Sequence, residues 1–193
     1  MAARRDGLRW MAICPSPSTP RRHHVTEAPL IVSVSGIRGI VGQSLTDETI
    51  RRFAAAFATW LPQAARVVIA RDTRPSGEAY GRLVSTTLQA AGCHVIDLGI
   101  CATPVAKLMV LELKAQGALI LTASHNPASW NGLKLIRADG IFLNAHDGAR
   151  VESAYHESRV RTAPAPGNSK SVDADTVREI HFERLLAAID VDL

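Results

Sequence analysis

From Leu30 onward the hydrophobic positions alternate between short unbroken runs and stripes of helical period. LIVSV (30–34), RVVIA (66–70), HVIDLG (94–99) and ALILT (118–122) are strands by length and by their β-branched content. Between the first two, Ile50, Phe53, Ala54, Phe57 and Leu61 share one helical face. Thr46 offers that helix an N-cap hydroxyl, with Asp47 and Glu48 at its positive end. A second stripe, Tyr80, Leu83, Val84, Thr87, Leu88 and Ala91, runs from Ser76 to a stop at Gly92. A third helix opens at Thr103, with Pro104 in the first turn, where a missing amide hydrogen costs nothing.

Strands without polar alternation, separated by amphipathic helices, must be covered on both faces. The expected fold class is therefore α/β, a three-layer α/β/α sandwich with a mixed, mostly parallel sheet. The mixed character comes from LKLIRADGIFL (133–143), which predicts two short strands joined at an Asp139-Gly140 turn. Residues 162–172, TAPAPGNSKSV, have the composition of a linker. Residues 173–193 predict one amphipathic helix, apolar at Val177, Ile180, Leu185 and Ile189, of the kind that leads into a second domain.

Residues 1–29 break the pattern, being rich in Pro and Arg without a hydrophobic period, and read as a disordered basic extension. They hold five arginines against Asp6 and Glu27, which is most of the formal charge of +4. Residues 30–193 are nearly neutral, which gives no basis for a nucleic-acid partner. At 47% hydrophobic and 21% charged the composition is that of a globular protein, and no apolar run approaches the roughly 20 residues needed to cross a bilayer. Three cysteines, Cys14, Cys93 and Cys101, form no paired framework, so the expectation is a reducing, cytoplasmic setting without a membrane.

The candidate chemistry lies in the loops. Ligands of an open α/β sheet gather at the carboxyl ends of its parallel strands, so the segments after LIVSV, RVVIA, HVIDL and ALILT are expected on one rim. Three are polar: SGIRGIVG (35–42), RDTRPSGE (71–78) and ASHNP (123–127). Gly36, Gly39 and Gly42 permit close backbone approach, and Arg38 offers a two-pronged grip on phosphate. Arg71 and Arg74 flank Asp72 within reach of the same rim, and Ser124 presents a hydroxyl just beyond an apolar strand. Together these point to a phosphorylated ligand.

TASHNP followed by NGLK, preceded in order by SGIRG and RDTRPSG, resembles the α-D-phosphohexomutase superfamily of phosphoglucomutases, phosphomannomutases and phosphoglucosamine mutases. The resemblance covers residues 30–161, which would be the family's domain I. It implies that Ser124 carries a phosphoryl group, gives it to a sugar phosphate and recovers it from a hexose bisphosphate. It implies a general base at Lys134, an active-site arginine at Arg38, and a catalytic place for His125 beside the phosphoserine, where it would help order the loop or move protons. Arg38, Ser124 and Lys134 would hold phosphate, and Ser124 would also be a magnesium ligand through its phosphoryl group. Asn126, Pro127, Asn131 and Gly132 would shape the loop.

The same resemblance implies parts that do not occur in these 193 residues. No DGDGDR-type run supplies the three aspartates that would complete a magnesium site. The expectation is thus a phosphoserine-bearing domain, with a phosphosugar and hexose 1,6-bisphosphate as partners, inactive alone unless another chain supplies the remainder. The competing expectation is a non-enzymatic remnant domain that binds phosphate or a partner protein.

Overall fold

The computed structural model describes residues 29–33 and 36–189, and most of the apolar runs fold where their pattern places them. In chain order the elements are β1 (Ile31–Ser33), β2 (Gly36–Ile40), α1 (Asp47–Trp60), β3 (Arg66–Arg71), α2 (Gly77–Ala90) and β4 (His94–Ile100). There follow α3 (Thr103–Glu112), β5 (Gly117–Leu121), β6 (Trp130–Arg137), α4 (Ala145–His156), β7 (Ser169–Ser171) and α5 (Ala174–Ala188). The disordered extension expected over residues 1–29 lies outside the described residues except for Pro29, as do Ser35 of the SGIRG motif and residues 190–193.

The strands form one seven-stranded sheet in the order β1-β2-β6-β5-β3-β4-β7. Its β5-β3-β4-β7 part is parallel and its β1-β2-β6-β5 part antiparallel, which gives the expected mixed sheet. Side chains on successive strand residues point to opposite faces, so each strand feeds two cores. Val67, Ile69, Leu119, Leu121, Leu133 and Leu135 meet α1, α2 and α4 on one face. Val68, Ala70, Ile96, Ala118, Ile120 and Ile136 meet α3 and the start of α5 on the other. These are the three layers.

Local chemistry explains the boundaries. Thr46 caps α1 by accepting a hydrogen bond from the amide of Thr49. α3 begins at Thr103 with proline in its first turn, as expected. Ser76 precedes α2 without capping it, because its hydroxyl accepts a hydrogen bond from Asn131 instead.

Four differences from the expected elements matter. The glycine-rich stretch expected as a loop is largely β2, paired on both edges, with Arg38 opposite Ile31 and Gly132. Because β1 runs antiparallel to β2, the loop after LIVSV is at the opposite end of the strands from the other three, and the turn after β2 takes its place on the rim. The Asp139-Gly140 turn forms, with Gly140 at φ +71°, but its second arm is a single bridge from Phe142 to Ile136. The 162–172 segment carries β7, which pairs in parallel with β4.

α4 occupies a stretch without a strong apolar pattern. Asn144 caps it, Val151 and Ala154 are buried, and the Tyr155 ring stacks on Phe53 at 3.9 Å. In α5, Val177 is buried and Ile180 packs against the α3 core, whereas Leu185 and Ile189 are exposed. No helix among the described residues is long and apolar enough to cross a membrane.

Candidate functional site

The chain leaves β3 for α2 on one face, then returns from β4 through α3 on the other face to β5, on the far side of β3. The carboxyl ends of β3 and β5 therefore flank a crevice where the connections diverge, the place where open α/β sheets collect ligands. The loop from Thr122 to Ser129 springs from this point.

That loop is held by short bonds at its base. The buried Thr122 hydroxyl accepts from the Ser124 amide at 2.9 Å, and the Asn126 amide donates back to the Ala123 carbonyl. Ser124 sits at φ +58°, in the left-handed region that L-residues with a Cβ adopt at a cost of roughly 1–2 kcal/mol. Lys114 and Ser158 share that conformation just past helix ends, where it is ordinary. Ser124 adopts it beyond a strand, and it is exposed.

Arg74 fixes this conformation. Its Nη2 donates to the carbonyls of Ser124 (2.9 Å) and Asn126 (2.8 Å), and its Nη1 to those of Pro127 (2.6 Å) and Trp130 (2.8 Å). Its Nε donates to Asp72 at 3.0 Å, so all five N–H bonds of the guanidinium are used. Asp72 accepts from the Arg74 amide through its other oxygen, which sets the direction of the side chain. With its side chain only 10% exposed and its donors saturated, Arg74 pairs with Asp72 and holds the serine loop.

The cations are carried by the antiparallel strands. Arg38 on β2 lies opposite Gly132 on β6, and the Gly132 carbonyl accepts from the amide of Thr122. Lys134, two residues along β6, points to the same face as Gly132. Burial holds the Lys134 ammonium below the usual lysine range. The positive charges of Arg38 and Lys107 push in the same direction, and Asp72 opposes them. Arg38 and Lys134 thus lie on paired strands, close enough for the one charge to act on the other, and β6 abuts the root of the Ser124 loop. His125 is exposed and makes no hydrogen bond among the described residues.

The glycines do something other than admit a ligand. A Cβ on Gly132 would lie 2.1 Å from the Ile37 carbonyl oxygen, and one on Gly36, at φ +121°, 1.9 Å from that of Leu133. Both permit β2 and β6 to approach. Asn131, fully buried, ties this pair to the rest of the site by donating to Ser76 and accepting from the Gly132 amide.

The described side chains do not by themselves make a magnesium site. No group of three or more His, Cys, Asp or Glu side chains converges among the described residues, and the one carboxylate near Lys134, Asp72, is engaged through both oxygens by Arg74. Sequence reasoning missed Lys107 altogether. The available signal was a lone lysine in TPVAKLMVL, an otherwise uncharged helical segment.

Residues 30–161 match the family described as phosphoglucomutase/phosphomannomutase, alpha/beta/alpha domain I. The chain is 28% identical over 163 residues to a phosphoglucosamine/phosphogalactosamine mutase of Sulfurisphaera tokodaii, covering 84% of this chain and 36% of the relative. It is 38% identical over 124 residues to a phosphoglucomutase/phosphomannomutase of Thermococcus kodakarensis, covering 62% of this chain and 27% of that one. The crystal structure of a protein assigned as a phosphomannomutase, from Thermus thermophilus, superposes with a TM-score of 0.73 at 31% identity, over 85% of this chain and 37% of that one. The chain spans about a third of the length of the curated relatives it matches.

Proposed function

Because this chain belongs to the phosphoglucomutase/phosphomannomutase family, we propose that Ser124 is its phosphoryl carrier, in an enzyme that interconverts 1-phospho and 6-phospho hexoses or hexosamines. The observation that supports this best is the Arg74 clamp. Three loop carbonyls, the carbonyl of Trp130 at the start of β6 and five saturated donors hold an exposed serine in an unfavourable backbone conformation, at the crevice where such sheets bind ligands. A loop whose only task was to turn the chain would not require that use of a nearly buried arginine.

In the forward step the sugar hydroxyl oxygen attacks the phosphorus carried by phosphorylated Ser124. The bond from phosphorus to the new sugar oxygen forms, the Oγ–P bond breaks, and Ser124 Oγ leaves with the electron pair. The hydroxyl proton passes to Lys134 Nζ, which must be neutral to accept it. Burial and the two neighbouring cations favour that neutral form. Arg38 offsets charge on the equatorial oxygens. The reverse transfer, from the other phosphate of the bisphosphate, restores the phosphorylated serine and leaves the isomeric monophosphate.

Magnesium would be held in part by the phosphoryl oxygens on Ser124, with its remaining ligands from outside the described residues, and would offset charge on the transferred group. Turnover belongs to the full architecture of the relatives. Transfer to Ser124 can be tested on the chain itself. After incubation with a hexose 1,6-bisphosphate, intact-mass and peptide mass spectrometry should find one phosphoryl group on Ser124, absent from Ser124→Ala and slower to appear in Lys134→Met. A phosphoryl group on another residue, or none on Ser124, removes the carrier role.

A further inference from the structure

Arg38 of β2 and Lys107 of α3 both act on Lys134 of β6, and of the three cations only Arg38 and Lys134 belong to the motifs. Lys107, from the second turn of α3, places its Nζ 5.0 Å from the centroid of the Phe142 ring. Lys134, from β6, places its own 5.5 Å from the same centroid. The position of Lys107 is fixed by packing. Its neighbours Ala106, Met109 and Val110 are buried in the α3 core, and a Cβ on Gly140 would come within 2.9 Å of the Lys107 carbonyl oxygen, so the helix backbone presses on the turn that leads to Phe142.

The arrangement is unbalanced in charge. Among the described residues the side chains of Arg38, Lys107 and Lys134 have no hydrogen-bond acceptor and no carboxylate partner. Asp72, the acid that acts on Lys134, is bound to Arg74. The Phe142 ring attracts both ammonium groups but neutralises neither. All three side chains are half-buried, so water screens their repulsion only in part. Such a set is stabilised when a multivalent anion enters between its members.

We propose that Lys107 is a third anion-binding side chain of the Ser124 site, closing with Arg38 and Lys134 a cationic cradle over Phe142 that takes a phosphoryl group. The inference rests on the reading of Ser124 as the phosphoryl carrier. A phosphate dianion presents three acceptor oxygens, and the cradle offers the forked guanidinium of Arg38, the ammonium of Lys107 and the N–H bonds of Lys134, which that amine keeps when it is neutral to act as base. Repulsion among the three cations in the free protein becomes shared attraction in the complex, so Lys107 adds affinity although it lies in neither motif.

Inorganic phosphate titrated into the 193-residue chain at low ionic strength tests this, followed through the side-chain Cε and Nζ resonances of Lys107 and Lys134. Both are expected to move together and saturate. Lys107→Met should weaken binding about fivefold, the value of one partly screened charged contact, and Lys107→Arg should restore it. Lys170→Met, which removes one charge from the exposed β7 strand, should leave affinity nearly unchanged. The proposal is overturned if Lys107 resonances stay still in the wild-type chain, or if Lys107→Met and Lys170→Met weaken binding equally, since net charge alone would then explain the effect. Should Lys107→Met fail to fold, the wild-type resonances and Lys107→Gln decide. The underlying reading fails separately: phosphate that saturates the cradle while Ser124 never accepts a phosphoryl group leaves an anion site without a carrier, whereas a phosphorylated Ser124 beside an unresponsive Lys107 leaves the carrier without the third cation.

Discussion

The two halves of the sheet solve different problems. The parallel half, β5-β3-β4-β7, is held by apolar side chains: Val67, Val68, Ile69 and Ala70 of β3 are all buried, and helices cover both faces. The antiparallel half, β1-β2-β6, is held by close backbone contact, and it gives up side-chain volume on one face to carry Arg38, Gly132 and Lys134. Burial of β-branched residues stabilises a strand wherever a helix can be packed over it. Where a strand carries Arg38 or Lys134 on that face instead, that means is lost, and glycine contact replaces it. The contrast predicts that the same chemical change, addition of one methyl group, has opposite effects in the two halves.

Gly132→Ala breaks this comparison most severely. The new Cβ would meet the Ile37 carbonyl, a backbone atom that cannot move aside without separating β2 from β6. A cost of about 3–5 kcal/mol is expected, in the range of large backbone or overpacking effects. Gly81→Ala, in α2 behind the parallel half, meets only the end of the Leu121 side chain at 3.6 Å, an ordinary contact. It should stabilise the chain by about 0.5–1 kcal/mol through helix propensity. Urea unfolding of both variants checks the pair, and two shifts of the same sign would show that strand approach at Gly132 is more forgiving than the geometry indicates.

Arg74→Met comes next, because Arg74 joins the two halves: it extends from the loop after β3 to carbonyls on either side of the serine loop. Loss of five donors at a side chain only 10% exposed should cost about 2–4 kcal/mol, with three loop carbonyls, that of Trp130 and Asp72 left to find water. Amide hydrogen exchange should accelerate from Ala123 to Trp130 while the β3 and β4 cores keep most of their protection. Arg74→Lys should not rescue it, since an ammonium cannot reach four carbonyls in one plane. Even loss of protection over the whole chain would mean that the clamp supports the fold rather than the loop.

The same contrast governs what can be read from the sequence. β3, β4 and β5 and their helices are legible because burial writes itself into composition. GIRGI reads as a loop because glycine and arginine are poor strand formers, and only pairing with both β1 and β6 makes it a strand. β7 leaves no pattern since it contributes main-chain bonds to the β4 edge while its side chains are exposed. α4 buries Val151 and Ala154, too few apolar positions to mark a stripe. In the site, Ser124, Arg38 and Lys134 are legible through local motifs. The role of Arg74 and the presence of Lys107 are not, because the one depends on four carbonyls at least 50 positions away and the other on how a separate helix packs.

The smallest effect concerns Lys134 and separates the halves by pH. Burial, then Arg38 and Lys107, hold its ammonium below the ordinary lysine value, near which it titrates in the unfolded chain. Between the lowered folded value and the unfolded one, the unfolded chain binds more protons, so stability from this group rises with pH there. Above the unfolded value the full contribution is present, and it is lost as pH falls through the folded value. Below the folded value the folded chain therefore carries an unfavourable charge, which Lys134→Met removes. That variant should melt about 2 °C higher than the wild-type chain at such pH, with the gap narrowing as pH climbs toward the unfolded lysine value. A matched substitution at Lys170, exposed on the parallel half, should show no such pH-dependent gap. Thermal unfolding of both variants across that range measures it, and a gap that widened with pH would mean that Lys134 is stabilised rather than strained by its neighbours.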